Sequence, residues 1–162
     1  MGGCLSLCRG DRHLPNGQQD TLASVVRNKK DFSFDGQEFS AKVVDVYDGD
    51  TIRIVFNWRG EYVQWMARMV GYDSPEMRQP VAEPNRDRLK AAAVAARDAL
   101  RAQILDKVVI VRCGKFEKYG RILVTVFAPC GLGVTNVNEW MLSRGYGRPY
   151  DGGKKTNLTF AE

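Results

Sequence analysis

The stretch "VVDVYDGDTIRI", Val43 to Ile54, alternates apolar and polar residues on either side of a four-residue break, Asp48-Gly49-Asp50-Thr51. Period-two alternation interrupted by Asp-Gly reads as two half-buried strands joined by a hairpin turn, with glycine supplying φ > 0 and aspartate capping its own backbone. That reading accounts for Asp48 and Gly49. It leaves Asp50, beside Thr51 at the start of the second strand, as a carboxylate in need of a partner.

Working outward, "FSFDGQEFSAKVVDVY" reads as strand, turn, strand. "EYVQWMARMVGY" reads as a third long strand after the turn at Arg59-Gly60. Pro75, Pro80 and Pro84 then mark a loop. "NRDRLKAAAVAARDALRAQIL" is alanine-rich with i,i+4 charge pairs and begins at a cap residue, Asn85, which predicts a long helix. "KVVIVRC" and "RILVTVF" are strands separated by a turn in "KFEKYG". "VNEWMLSRGYG" is a short helix closed by glycine, and "RPYDGGKKTNLTFAE" trails away as polar chain. "DTLASVVRNKK" predicts one more short helix, with Asp20 or Thr21 as its N-cap.

These elements predict an α+β protein: a five-stranded OB-type β-barrel with about three helices. An open α+β sheet with helices on one side is the other architecture they allow. The expected organisation is a flexible N-terminal segment over 1–20, a barrel domain over 21–150 and a polar tail over 151–162.

The chain has 162 residues, 44% apolar and 27% charged, enough for one domain with its own core. Its net charge of +5 favours an anionic partner such as nucleic acid, a membrane surface or phosphate. Cys4, Cys8, Cys113 and Cys130 lack zinc spacing, and a single histidine, His13, does not repair that. All four read as thiols in a reducing compartment. No apolar run approaches transmembrane length.

"MGGCLS" fits the pattern for N-myristoylation at Gly2. Cys4 and Cys8 would be palmitoylation sites, and Arg9 and Arg12 a basic supplement; a single acyl chain alone anchors only marginally. The plain alternative is a terminus that merely begins Met-Gly.

Partners for Asp50 come from "ARMVGYDSPEMR". Arg68 and Tyr72 are read as sharing a strand face, Asp73 ends the strand, and Pro75 releases Glu76 into a loop. Arg121 opens a later strand after Gly120. Two carboxylates, Asp50 and Asp73, suit a hard divalent cation, which relieves their mutual repulsion. Arg68 and Arg121 offer planar forks for phosphate oxygens, and Glu76 is placed to act as a general base. Together these are the parts for attack of water on a phosphodiester. Each also has an ordinary reading: Arg68 paired with Glu61, Arg121 paired with Glu117, Glu76 capping a turn, and Asp73-Ser74-Pro75 as an Asx turn.

Three ordered blocks, "DGDTIRI", "RMVGYDSPE" and "EKYGRILVTVF", with "VNEWMLSRGYG" following, resemble the staphylococcal nuclease (thermonuclease-like) family over about Ala41 to Tyr150. The resemblance implies an OB barrel and calcium-dependent hydrolysis of DNA and RNA that leaves 3′-phosphates. It implies Asp50, Asp73 and the Ser74 carbonyl as ligands of one Ca²⁺, in preference to Mg²⁺. Arg68, Glu76 and Arg121 would be the catalytic set, with Tyr119 and Tyr150 near the nucleotide. Departures are a longer Ile54–Arg68 interval, Tyr72 where an aliphatic is usual, Ser74 for threonine, Glu117 for aspartate, and Val124 for a smaller residue. The N-terminus resembles plant members, which implies a eukaryotic or viral source and an intracellular, membrane-associated location on the cytoplasmic face. The expected protein is a monomeric nuclease with little sequence specificity. The alternative is a catalytically weak OB-fold nucleic-acid-binding module, and a third reading is a membrane-attached adaptor working through its termini.

Overall fold

The computed structural model describes residues 31–152. Its main sheet runs β1 (Glu38–Val46), β2 (Thr51–Trp58), β3 (Glu61–Met69), β5 (Val108–Phe116) and β6 (Ile122–Cys130), in the order β3-β2-β1-β5-β6. Neighbours in that order are antiparallel, and β3 meets β6 in parallel through Ala67↔Ile122, Arg68↔Leu123 and Met69↔Val124. That last pairing closes a five-stranded, OB-like α+β barrel. Register shifts between Val43 and Asp45 and between Cys113 and Phe116 mark bulges where the strands bend to close.

Alternation sets the two faces of each strand. Ile52, Ile54 and Phe56 point in from β2; Ala67 and Met69 from β3; Val109, Val111 and Cys113 from β5; Ile122, Val124 and Val126 from β6, all buried. Short pieces complete the fold. β7 (Gly133–Asn136) extends β6, and β4 (Gly71–Asp73) pairs with β8 (Arg148–Tyr150) as a separate two-stranded ribbon. Residues 148–150, expected as tail, therefore form a strand, because β4 needs a partner for its backbone groups.

Helix α1 (Arg86–Ile104) lays Leu89, Ala93, Ala96, Leu100 and Ile104 against the barrel. Asn85 precedes it without making a side-chain capping bond. Helix α2 (Val137–Ser143) is capped by Asn136, whose side chain accepts from the Asn138 and Glu139 N–H groups. Two helices thus lie among the described residues; the third, expected near 20–30, falls outside them. Asn138 is buried and fully occupied: it accepts from Val126 N–H at 2.9 Å and donates to the Val70 and Val124 carbonyls at 2.8 and 3.0 Å. It ties α2 to the point where β3 gives way to β4.

Residues 32–34 form no strand; instead Phe34 closes one end of the barrel. Its ring meets Phe39, Phe56, Trp58 and Trp65 edge-on at centroid distances of 5.0–5.9 Å. Cys113 is buried, Cys130 is exposed, and both are free thiols. Burial alone raises the Cys113 thiol to about 11, so it packs as a small apolar group.

Candidate active site

The β1–β2 turn is built around two carboxylates. Asp48 accepts the Asp50 N–H at 3.1 Å, the local cap its sequence predicts. Gly49 does not have the positive φ expected of it. It is needed for space: a Cβ there would lie 2.7 Å from the Ser74 Cβ and 2.8 Å from the Ala96 Cβ. The turn therefore passes directly under α1 and against the β4–α1 loop, and this packing presses Asp50 inward.

Asp50 and Asp73 converge on one guanidinium. Arg68 Nη1 donates to Asp50 Oδ1 at 3.2 Å, while Nη2 lies 3.1 Å from Asp50 Oδ2 and 2.5 Å from Asp73 Oδ1. The Ser74 N–H donates to Asp50 Oδ2 at 3.2 Å. Asp48, Asp50, Thr51, Arg68, Asp73 and Ser74 are all buried. Burial, and then the nearby Asp48 charge, push the Asp50 carboxyl up to about 7, against the opposing pull of Arg68 and of the Ser74 and Thr51 hydrogen bonds. Burial also works against the Arg68 charge, but Asp50 and Asp73 outweigh it and hold the guanidinium above its ordinary pKa.

Arg121 joins through Thr51. The Thr51 hydroxyl donates to Asp50 Oδ1 at 3.0 Å and accepts from Arg121 Nη1 at 2.9 Å. Arg121 Nε is ion-paired with Glu117 across the β5–β6 turn. Arg68, by contrast, pairs with Asp50 and Asp73 and not with Glu61. Glu76 is exposed in the loop after β4, and its backbone carbonyl accepts from the Gln79 amide at 2.6 Å. The Arg68 guanidinium lies 5.9 Å from the Tyr150 ring. These two residues border a cavity of about 600 Å³ with Val70, Leu123 and Pro149. Tyr119 is exposed under the Lys118 ammonium and borders a shallower 340 Å³ groove with Arg121, Gln64 and Met66. Gly2, Cys4 and Cys8 lie outside the described residues.

Sequence reasoning missed two supports, Thr51 and Tyr72, and named a third, Glu117, only as the ordinary partner of Arg121, which the structure shows it to be. Thr51 is the bridge between Asp50 and Arg121; its place beside Asp50 was the available signal. Tyr72, buried in β4, donates its hydroxyl to the Gly49 carbonyl at 2.7 Å. Arg68 and Tyr72 do not share a strand face, because β3 ends at Met69 and Gly71, at φ 88°, starts β4 in a new direction.

The chemistry of the donor set fits a hard cation. Two buried carboxylates, Asp50 and Asp73, share one buried guanidinium, and the buried Asp48 carboxylate lies near Asp50, so oxygen ligands and negative charge gather here. Among the described residues no group of three or more acidic, histidine or cysteine side chains forms a cage by itself. Carbonyl, water or substrate oxygens would have to complete a shell.

Fold and site together define an OB-like barrel whose mouth carries a buried acid–guanidinium cluster, with a second arginine tied to it. The chain belongs to the staphylococcal nuclease homologue family, which matches residues 66–160. It is 30% identical over 131 residues to an uncharacterised protein of Methanocaldococcus jannaschii, covering 70% of this chain and 60% of that one. It is 30% identical over 114 residues to an uncharacterised endonuclease of Escherichia coli, covering 70% of this chain and 63% of the relative. A counterpart from Escherichia coli O157:H7 is 29% identical over 114 residues. The chain thus spans less than two thirds of the length of these curated relatives.

Proposed function

We propose that the protein is a calcium-dependent nuclease that hydrolyses phosphodiester bonds of DNA, RNA or both with little sequence specificity. The observation that carries this reading is the convergence of residues 50, 51, 68, 73 and 121 on one hydrogen-bonded cluster. Family membership and the endonuclease name of two relatives support it. Asp50, Asp73 and the Ser74 carbonyl are the residues that would hold the ion. Bound calcium supplies positive charge against phosphoryl oxygens and helps present a water molecule.

The chain's own groups have distinct tasks. Arg68 and Arg121 fit phosphate oxygens as planar forks and stabilise charge on five-coordinate phosphorus. Glu76 takes a proton from the attacking water as its oxygen bonds phosphorus. The bond from phosphorus to the 5′-oxygen breaks, that oxygen gains a proton, and a 3′-phosphate remains. Thr51 and Glu117 act by fixing Arg121. The basic net charge draws in the polyanion, so affinity falls with salt.

A second reading, an OB-fold nucleic-acid-binding module, draws on the engagement of both guanidinium groups by carboxylates. Incubating the protein with single-stranded and duplex DNA in calcium, in magnesium and in chelator separates the two. Under the nuclease reading, Glu76→Gln and Arg121→Ala each lower kcat by about 10²- to 10⁴-fold. A wild type no faster than the double variant leaves the binding module. Acylation at Gly2, Cys4 and Cys8, with attachment to a cytoplasmic membrane face, is a separate proposal resting on "MGGCLSLC". Equal incorporation of a myristate analogue by wild type and Gly2→Ala would end it.

A further inference from the structure

The β5–β6 turn that carries Arg121 has an anchor outside itself. Backbone pairing between β3 and β6 begins at Ala67↔Ile122 and runs to Met69↔Val124. Two positions earlier on each segment, beyond the ladder, stand Trp65 and Gly120. Here a side chain takes over: the Trp65 indole N–H donates to the Gly120 carbonyl at 2.8 Å. Gly120 is the residue before Arg121. The Trp65 ring is itself held by the aromatic end, edge-on to Phe34 at 5.9 Å and tilted against Phe116 at 5.6 Å. Phe116 is the last residue of β5, so the ring rests on the strand that enters the turn while its N–H holds the far end of the turn.

We infer that Trp65 is a positioning residue for Arg121: its indole N–H fixes the β5–β6 turn on β3 and so sets where the Arg121 guanidinium stands relative to Arg68 and Asp50. For its consequence in catalysis the inference rests on the nuclease reading. Three observations carry it. First, the turn's own bonds are local. The Glu117 N–H donates to the Arg121 carbonyl and the Gly120 N–H to the Glu117 carbonyl, each at 2.9 Å, and the Glu117–Arg121 ion pair spans the same residues. These bonds fix the shape of the turn but not its angle to the barrel. Second, Thr51 reaches Arg121 only at the tip of the guanidinium, where Nη1 donates to its hydroxyl at 2.9 Å. A small rotation of the turn is magnified along the arginine side chain and carries the fork off Thr51. Strand β3 thus bears Arg68 in its own sequence and locates Arg121 through Trp65. Third, Trp65, Gly120 and Arg121 line one groove of about 340 Å³ that opens to water. A hydrogen bond in contact with water adds little net stability, so the bond matters through geometry. A misplacement of about 1 Å at a reacting centre can cost about 10²-fold in rate.

The test is steady-state cleavage of a labelled DNA strand by the full chain in calcium, paired with amide hydrogen exchange in chelator. Trp65→Phe keeps a ring beside Phe34 and Phe116 and deletes the N–H. It lowers kcat about tenfold with KM unchanged, because Arg121 acts on the five-coordinate phosphorus. In an Arg121→Ala background the same substitution lowers the residual kcat no further, as expected of a residue that acts through Arg121. Trp58→Phe makes the same ring change against Phe34 at the aromatic end, away from the turn, and leaves kcat at the wild-type value. Hydrogen exchange reads the anchor without any chemistry. The Glu117 and Gly120 amides exchange severalfold faster in Trp65→Phe, while those of β1 and β2 exchange as in the wild type. An unchanged kcat in Trp65→Phe, an equal loss in Trp58→Phe, or an equal further loss on top of Arg121→Ala overturns the assignment while the nuclease reading stands. If the wild type cleaves nothing, the nuclease reading fails; faster exchange confined to the turn then keeps the anchor, and unchanged exchange overturns it.

Discussion

The two ends of the barrel bury side chains equally deeply and by opposite means. At one, Phe34 fills the opening with its ring set edge-on to four others, and the Trp65 indole N–H donates to the Gly120 carbonyl at 2.8 Å. At the other, Asp48, Asp50, Arg68 and Asp73 are withdrawn from water and held by hydrogen bonds from Ser74, Thr51 and one another. Burying rings is favourable by itself, at about 25 cal/mol per Å² of apolar surface. Burying charge costs more than a pair recovers unless geometry and added hydrogen bonds compensate. The aromatic end accounts for stability. The charged end is a concession that stability alone would not select, which is why the proposed ion is placed there.

Two substitutions break this comparison most sharply. Arg68→Ala leaves Asp50 and Asp73 buried without their cation, and a broken buried pair typically costs about 3–5 kcal/mol. Denaturant unfolding should show that loss, and nuclease activity should fall to background in the same variant. Added calcium should return part of the stability, since a bound cation stabilises the folded state by mass action. Phe34→Ala removes the other plug and costs about 3–5 kcal/mol through the cavity it leaves. Its calcium affinity, read by calorimetry below the melting point, should stay at the wild-type value. A parallel loss of calcium binding would mean that the two ends are not independent.

The barrel was legible because alternation repeats over many residues: β1, β2, β3, β5 and β6 all follow from period-two patterning; the aromatic end was not, since the segment holding Phe34 read as one more strand. The residue types of the site were legible for a different reason, since Asp50, Arg68, Asp73 and Arg121 are charges placed in or beside apolar strands. Their mutual distances were not. The parallel closure of β3 on β6, which brings Leu123 beside Arg68, leaves no local trace in either strand. Residues 148–150 looked like tail because three residues carry too little periodicity to read. Gly49 looked like a conformational glycine; its actual constraint, the approach of Ser74 and Ala96, comes from segments 25 and more positions away.

The charged end should also answer to pH. Asp50 is raised from 3.8 to about 7, so its folded form favours the proton that its unfolded form has already lost. Its contribution is fully present below about pH 4 and is lost as pH rises through about 7, on the order of a few kcal/mol in the metal-free protein. Comparing wild type with Asp50→Asn isolates this from other carboxylates. In chelator, the stability of wild type relative to Asp50→Asn should fall between pH 4 and 7. Saturating calcium should flatten the difference, because an ion replaces the proton. A relative stability that rises across that window would contradict the assignment.

Tyr72 sharpens the comparison most finely, because it belongs to both kinds of packing. Its ring is buried against Gly147, where a Cβ would come within 2.5 Å of Cδ2, so the β8 approach is shaped around it. Its hydroxyl donates to the Gly49 carbonyl at 2.7 Å, between Asp48 and Asp50. One side chain thus ties the turn bearing Asp50 to the strand bearing Asp73. Tyr72→Phe keeps the ring and deletes only the tether, leaving a buried carbonyl unsatisfied at about 1–3 kcal/mol. If the ring matters only as filler, calcium affinity will be unchanged and only the melt will shift. If the tether sets the spacing of the two carboxylates, calcium affinity should drop severalfold while the aromatic end is untouched. Because that end is remote from Gly49, Trp65 fluorescence should not change in the same variant.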